Sequence, residues 1–535
     1  EQLRFGSEQQ KLIIAASFAW TPSRMITLAQ AGNASVAALE TVLRRKGATL
    51  DVMGQTLAAV RARGTPEDRK LLADIAARRR QLSTLALRGA GKQSPTAYRK
   101  LLVALSDDVK SLEAELSESA QHALGTAPAN LELIQKALRA DEVLVETALY
   151  RPWHPDKHWS KQWGPARYVA WIVWAKGAPE MVALGEAKTI DMRVKRLRRS
   201  LRSDASDPED AAQAMAESLA PILQRLSSAK RVVISPDSAL HLVPWSMLAG
   251  DDGKPLIASK TLRLVTSGRD LLTPRVEASK KPALVLADPT YRFGTHNNTP
   301  LGRRSVDLRT MDFLPLAETR AEANAIALLL RKPTVLLGAA ATERAVADHV
   351  APPILHLSTH GFFVGKRRDV TLELPGRRSA DNKAGALLEN PLLKSGLALV
   401  GAADLKGSGN NDDGILTALE ATALDLRGTQ LVTLSACETG VGDTLNGAGI
   451  HGLLRAFRMA GAESIVASLW KVDDLATRTL MTRFYTELSR GTTREEALRA
   501  AQLAVRDNPE TEHPTYWAAF QLTGAGGPMA HRLFR

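Results

Sequence analysis

Apolar residues change their spacing twice along the chain, and each change marks a change of architecture. Up to about residue 140 they recur every three or four positions. Leu102, Leu105, Val109, Leu112 and Leu116 form one stripe, and Leu71, Leu72, Ile75 and Leu82 form another behind Pro66. That spacing predicts amphipathic helices throughout residues 1–140. Breaks fall at Thr21-Pro22-Ser23, Gly64-Thr-Pro66, Gly89-Ala-Gly91 and Ala127-Pro128. No repeat of about 34 residues emerges, so long antiparallel helices following a missing repeat array are expected.

From Asp141 the apolar runs shorten. Val143–Val145, Tyr168–Trp174 and Met181–Leu184 read as strands of a meander, with helices at about 187–202 and 208–228 and a strand at Arg231–Ser235. Beyond residue 281, short β-branched runs alternate with helical stretches. The strands are Ala283–Ala287, Thr334–Leu337, Ile354–Ser358, Leu431–Leu434, Ser464–Leu469 and a late one at Trp517–Leu522. The helices are Glu318–Leu330, Glu343–His349, Leu416–Leu424, Gly449–Met459 and Asp474–Ser489. Alternation of this kind predicts a mostly parallel sheet with helices on both faces. The division expected is 1–140 all-helical, 141–280 a sheet-bearing lobe and 281–535 the chemical domain. The stretch Gly365–Asn411, charged and Gly-rich, reads as one long loop, either a flap or a site of cleavage.

Two strands end in reactive groups. Leu431–Leu434 runs into Ser-Ala-Cys437, which carries the only cysteine among 535 residues. Ile354–Ser358 runs into Thr-His360-Gly361. A lone cysteine is ordinarily a small buried hydrophobe, and a lone histidine a packing residue. Paired at equivalent strand ends, each near glycine, they supply the parts of a thiol nucleophile and its base. No Gly-x-Gly-x-x-Gly or phosphate loop follows any strand, so no cofactor is implied. His154 and His158 lack a third ligand nearby, so no metal is expected.

Composition changes little in this picture. Hydrophobic residues make up 44% and charged residues 24%, as in ordinary globular chains. One cysteine rules out an intrachain disulfide. No apolar run reaches the ~20 residues that span a bilayer, and the opening lacks a signal-peptide layout, so a cytoplasmic protein away from membranes is expected. The net charge of +13 is sharpest at Arg193–Arg202, where Leu197 and Leu201 lie four apart. A solvated helix face accounts for it, and no motif supports nucleic-acid binding.

The phrases His-Leu-Ser-Thr-His360-Gly-Phe-Phe, Leu-Ser-Ala-Cys437-Glu-Thr-Gly, Gly-Leu-Leu-Arg-Ala-Phe-Arg-Met-Ala-Gly461 and Ser-Leu-Trp470-Lys-Val-Asp-Asp474 resemble, in the same order, those of the CHAT domain. That family is a caspase-like and separase-like group of cysteine peptidases, commonly found behind tetratricopeptide repeats in bacteria. The resemblance runs over roughly residues 140–530. It implies a caspase-like fold behind a non-catalytic lobe, and a peptidase with Cys437 as nucleophile and His360 as base. It also implies an oxyanion held by the backbone amides of Gly361 and Cys437, and a protein substrate. By likeness to the separase motif, Asp474 would receive a basic side chain before the scissile bond; otherwise it caps the following helix. Asp443 and Glu438 are rival acids. Many members carry Glu in Asn-Gly-Glu-Gly, whereas this chain has Asn446-Gly-Ala448-Gly449, which implies a slow or gated enzyme, with an activating partner engaging the helical region. An inactive scaffold and a thiol hydrolase of non-peptide substrates are the alternatives.

Overall fold

The structure, a computed structural model, describes the chain apart from residues 1–2, 4, 19, 33, 121–128, 205–206, 294–312, 364–389, 406–411 and 436–447. Among the described residues seven α-helices open it: α1 Glu8–Ser17, α2 Trp20–Ala31, α3 Ser35–Arg45, α4 Ala48–Arg63, α5 Pro66–Arg88, α6 Pro95–Ala120 and α7 Leu131–Ala137. The start of α5 is fixed by a capping box, in which Thr65 and Asp68 satisfy each other's amides ahead of Pro66. Across their break, residues Glu8–Ala31 are long and apolar enough to cross a membrane by length and composition alone, contrary to the expectation from the sequence. Core helices and signal sequences pass the same test. Here Glu8 and Lys11 bond to α6, at Glu113 and Ser117.

Strand begins at Glu142. The strands are β1 Glu142–Tyr150, β2 Arg167–Trp174, β3 Glu180–Glu186, β4 Arg231–Ser235, β5 Thr261–Leu264, β6 Leu284–Pro289, β7 Thr334–Gly338, β8 Ile354–Ser358, β9 Gly361–Phe363, β10 Ser395–Ala398, β11 Ile415–Thr417, β12 Leu431–Leu434, β13 Ser464–Ser468 and β14 Phe520–Gly524. Among the described residues eleven of them form one sheet, ordered β3-β2-β1-β4-β5-β14-β13-β12-β8-β6-β7, and β11-β10-β9 form a small antiparallel sheet. The large sheet is mostly parallel, with helices on both faces and an all-helical region before it. Only β1/β2, β2/β3 and β13/β14 are antiparallel. The last strand, β14, lies between β13 and β5, so the chain's end joins two parallel blocks that run in opposite directions.

Alternation along the strands divides the core. One face, with Val145, Ile234, Val285 and Ile354, packs under helices Ala187–Ser200, Glu209–Leu223, Ala317–Leu329 and Asp474–Ser489. The other face is shared. Leu144, Val169 and Val233 meet α2, α3 and α7, while Leu286, Leu355 and Val432 meet α5, α6 and helix Ala448–Ala460. Helix α4 fastens this side: the Arg61 guanidinium donates to the Ala460, Ala423 and Leu424 carbonyls at 2.7–3.1 Å, at two helix ends.

Several expectations needed correction. The supposed loop Gly365–Asn411 contains a helical turn, Pro391–Lys394, and strand β10, and the parts proposed as flap or cleavage site lie largely outside the described residues. A helix predicted at Leu416–Leu424 is strand β11 followed by a single turn, Ala418–Ala421. The basic stretch Arg193–Arg202 is only partly solvated. Arg193 donates to the Ala214 carbonyl and Ser218 hydroxyl, both at 2.7 Å, and Arg198 to the Leu469 carbonyl at 3.2 Å. Burial, and secondarily Arg202, push the Arg198 guanidinium down to about 10.

Candidate active site

At the far end of β8 the chain leaves the large sheet and enters the small one, and His360 stands at that crossing. Its carbonyl accepts from the Ala398 amide at 2.8 Å, and Gly361 pairs with Leu397. Thr359, just before, is fully buried. Its hydroxyl donates to the Ala398 carbonyl and so accepts from the Tyr291 hydroxyl at 2.9 Å. Tyr291 in turn accepts the backbone N–H of His360, and burial holds its phenol above the ordinary range. The histidine's backbone is therefore fixed from both strand ends. Gly396 on β10 has a steric reason, since a Cβ there would stand 2.9 Å from the Leu416 carbonyl and 3.0 Å from the Phe362 ring.

The His360 ring is buried, 7% exposed, against Tyr291 at 5.1 Å and Phe313 at 5.7 Å between centroids. Its Nε2 lies 2.7 Å from the Leu314 carbonyl oxygen. A carbonyl only accepts, so Nε2 carries a proton and the neutral ring keeps its lone pair on Nδ1. Sequence reasoning had named no orienting group. The group that meets Nε2 is a main-chain carbonyl, for which no residue type is a signature.

Asp474 opens helix Asp474–Ser489 at the end of β13. The capping role belongs to its neighbour: Asp473 accepts from the Leu475 and Ala476 amides, both at 3.0 Å. Asp474 is thereby left half-buried, and its carboxylate forms no hydrogen bond among the described residues. Burial chiefly raises its pKa, as do Asp473 and Glu322, while Lys471 and His360 pull it down. Asp474 and His360 thus sense each other's charge. Cys437, Glu438 and Asp443 lie outside the described residues. The strand that leads to the cysteine is described, and it places Leu434 beside Leu357 of β8, three residues before each reactive group.

Beneath the strand ends lies a polar group that the sequence did not suggest. His356 is fully buried, with Nε2 2.8 Å from Glu322 Oε1 and Nδ1 3.2 Å from the Tyr485 hydroxyl. Tyr485 lies 3.0 Å from the Thr433 hydroxyl, tying β8 and β12 to helix Asp474–Ser489. His356 is two positions from Ser358 on an alternating strand, the one hint that it faces a covering helix. Among the described residues no cluster of His, Cys, Asp and Glu could hold a metal.

The family model described as "CHAT domain" matches residues 209–525. Among curated proteins the chain is similar to Tetratricopeptide repeat protein 28 of Homo sapiens, 25% identical over 304 residues, and of Mus musculus, 24% over 303. Each match covers 55% of this chain and 12% of the relative, so the chain spans about an eighth of those proteins' length. Among solved structures it is similar to the Saccharomyces cerevisiae separase–securin complex, with TM-score 0.41 and 9% identity over 94% of this chain and 36% of that one. It is also similar to the Arg specific cysteine proteinase gingipain R (RgpB), with TM-score 0.32 and 10% identity over 65% and 75% of the two chains.

Proposed function

The chain belongs to the CHAT domain family, and on that premise we propose that it is a cysteine endopeptidase that cuts protein substrates after a basic residue. The observation that supports this most is the state of His360. Its Nε2 donates to the Leu314 carbonyl at 2.7 Å, so the neutral ring carries its basic lone pair on Nδ1. A thiol near pKa ~8.5 needs such a base to become a nucleophile at neutral pH.

The reaction then follows from the residues. The Cys437 thiol gives its proton to His360 Nδ1, and the sulfur adds to the substrate carbonyl. The backbone amides of Gly361 and Cys437 hold the resulting oxyanion. His360 returns the proton to the leaving amine, the peptide bond breaks, and water activated by the same imidazole hydrolyses the thioester. Asp474 receives the basic side chain before the scissile bond, with Asp443 and Glu438 as weaker candidates. Asp473's capping of the helix favours this role, because it relieves Asp474 of that duty.

In this reading residues 1–140 form a helical platform, 141–280 the non-catalytic lobe and 281–535 the catalytic domain, in a cytoplasmic protein. An activating protein would engage the platform. Digestion of a peptide library with wild type and Cys437→Ala tests the reading. Cleavage after Arg or Lys, absent in the variant, is expected. Cleavage that survives the substitution would falsify it, and silence from the wild type with every partner supplied would favour a scaffold.

A further inference from the structure

Where the opening helices, the lobe and helix Ala448–Ala460 meet, the structure leaves a cavity of about 330 Å³. The opening helices contribute α1 and the turn into α4 to its wall. The lobe contributes the turn Ser238–Leu242 and the end of β5. Helix Ala448–Ala460 and β14 close the remaining side. A cavity of this size takes a small molecule and not a polymer. His360 and Asp474 have no part in it.

The charged groups on the wall carry one sign. Arg45, Arg455 and Arg458 line the cavity together with His241, and no carboxylate does. Acids nearby meet only part of that charge. Arg455 Nη2 lies 3.0 Å from Glu8 Oε1, while its Nε is shut off from solvent and has no hydrogen-bond partner among the described residues. Arg458 donates to the Ala462 and Glu463 carbonyls at 3.0 and 2.7 Å, and its other terminal nitrogen stays 3.8 Å from Asp270. The Arg45 guanidinium lies 5.2 Å from the centroid of the Phe18 ring and forms no ion pair among the described residues.

The same wall includes Gly47, Ala48, Thr49 and Leu50, the cap and first turn of the sixteen-residue helix α4. Gly47 has φ 75° and offers no capping side chain. A Cβ there would stand 2.8 Å from Thr266 Cγ2, so a capping residue has no room. The Ala48, Thr49 and Leu50 amides consequently have no acceptor among the described residues. Guanidinium groups and an uncapped helix start, brought to one cavity from separate elements, match the oxygens of a phosphate. A dianion with three terminal oxygens can face all of these donors together, whereas a carboxylate has two oxygens and one charge. Leu12, Leu242, Leu264 and Leu454 form much of the rest of the wall, which suits an apolar body attached to the phosphate.

We propose that this cavity binds a small organic phosphate, its phosphate held by Arg45, Arg455 and the α4 amides and its body lying on the leucines. Bound there, it fastens α1 and α4 to helix Ala448–Ala460. Nothing in the site uses His360 or Cys437, so phosphate binding and peptide cleavage stand or fall separately.

Thermal shift of the full chain, titrated at constant ionic strength with n-butyl phosphate, inorganic phosphate and n-butanol, tests the site. Butyl phosphate is expected to raise the melting temperature saturably and to bind about tenfold more tightly than inorganic phosphate, the worth of roughly two buried methylenes. Butanol gives no shift. Arg45→Gln weakens butyl phosphate about tenfold, the worth of one charged hydrogen bond, and leaves the unliganded melting temperature unchanged because Arg45 has no ion pair to lose. Arg455→Lys keeps a cation for Glu8 but loses the planar fork, and weakens binding severalfold. A shift with butyl phosphate no larger than with sodium chloride or butanol, or an affinity that both substitutions leave untouched, overturns the proposal.

Discussion

The two parallel blocks of the large sheet end in similar chemistry and treat it in opposite ways. At the end of β4, Ser235 and its partner Glu146 midway along β1 are fully buried and every acceptor is met: Lys46 bonds to both residues, and the Gly268 amide donates to the second Glu146 oxygen at 2.7 Å. At the ends of β8 and β12, Ser358 and Ser435 are as deeply buried, and their hydroxyls have no hydrogen-bond partner among the described residues. The lobe spends these polar groups on its own lysine, delivered from the turn after α3, and so becomes a fastening for the helical platform. The block that carries β8 and β12 has no such internal cation among the described residues at its serine hydroxyls.

The harshest way to break that contrast is to remove the plug. Lys46→Met strands the Glu146 carboxylate with no cation, and a loss of about 3–5 kcal/mol in guanidinium unfolding is expected. A loss below about 1 kcal/mol would mean that the two blocks do not differ as described.

A third polar cluster sharpens the contrast through pH. Where α5 meets β11, Asp413, Glu343 and Glu420 are buried together, with Asp412, Arg80, Arg88 and Thr84 around them, and burial first of all raises each of the three acids. Asp413 moves from 3.8 to about 6. A raised acid keeps its proton in the folded state after the unfolded chain has lost it, so stability is greatest below about pH 4 and falls as pH rises to about 6. Asp413→Asn retains the acceptor for the Ile415 amide, 3.0 Å away. The variant should be more stable than wild type at pH 7, by up to about 3 kcal/mol, with the gain gone at pH 4. Denaturation midpoints at the two pH values decide it.

A smaller effect concerns the base. Tyr291→Phe removes the acceptor for the His360 amide and the donor to Thr359 while keeping the ring that packs on the imidazole. On the proposed activity, kcat should fall about fivefold, the worth of one hydrogen bond, with KM unchanged. A change confined to KM would contradict a positioning role. Smallest of all, Ser358→Ala should alter stability by less than about 0.5 kcal/mol despite full burial, because no hydrogen bond is lost. A penalty above about 1 kcal/mol would reveal a partner.

Much of the scaffold was legible because parallel strands buried on both faces are written as short apolar runs. Ile354–Ser358 and Leu431–Leu434 end in the sequence where they end in space. The strands β5, β9, β10 and β11 were missed, since runs of three or four residues are too short to carry a period. Helix Arg494–Arg506 was overlooked although Thr493 and Glu496 announce its start as a capping box. Asp474 was singled out by resemblance, but spacing could not decide between cap and free carboxylate; the helix turned out to begin one residue earlier than that choice assumed.

The sequence by itself determined the alternation of strand and helix, the helical opening, and the pair of strand ends that carry a histidine and a thiol, because these are local patterns of side-chain polarity. Tertiary structure alone decided that the Leu314 carbonyl fixes the His360 tautomer, that Lys46 reaches Glu146 and Ser235 where β1 passes the end of β4, and that serines from three separate strands fall into one row. Register and main-chain direction bring those groups together across 46 to 189 residues of chain, and neither is encoded in the identity of any single residue.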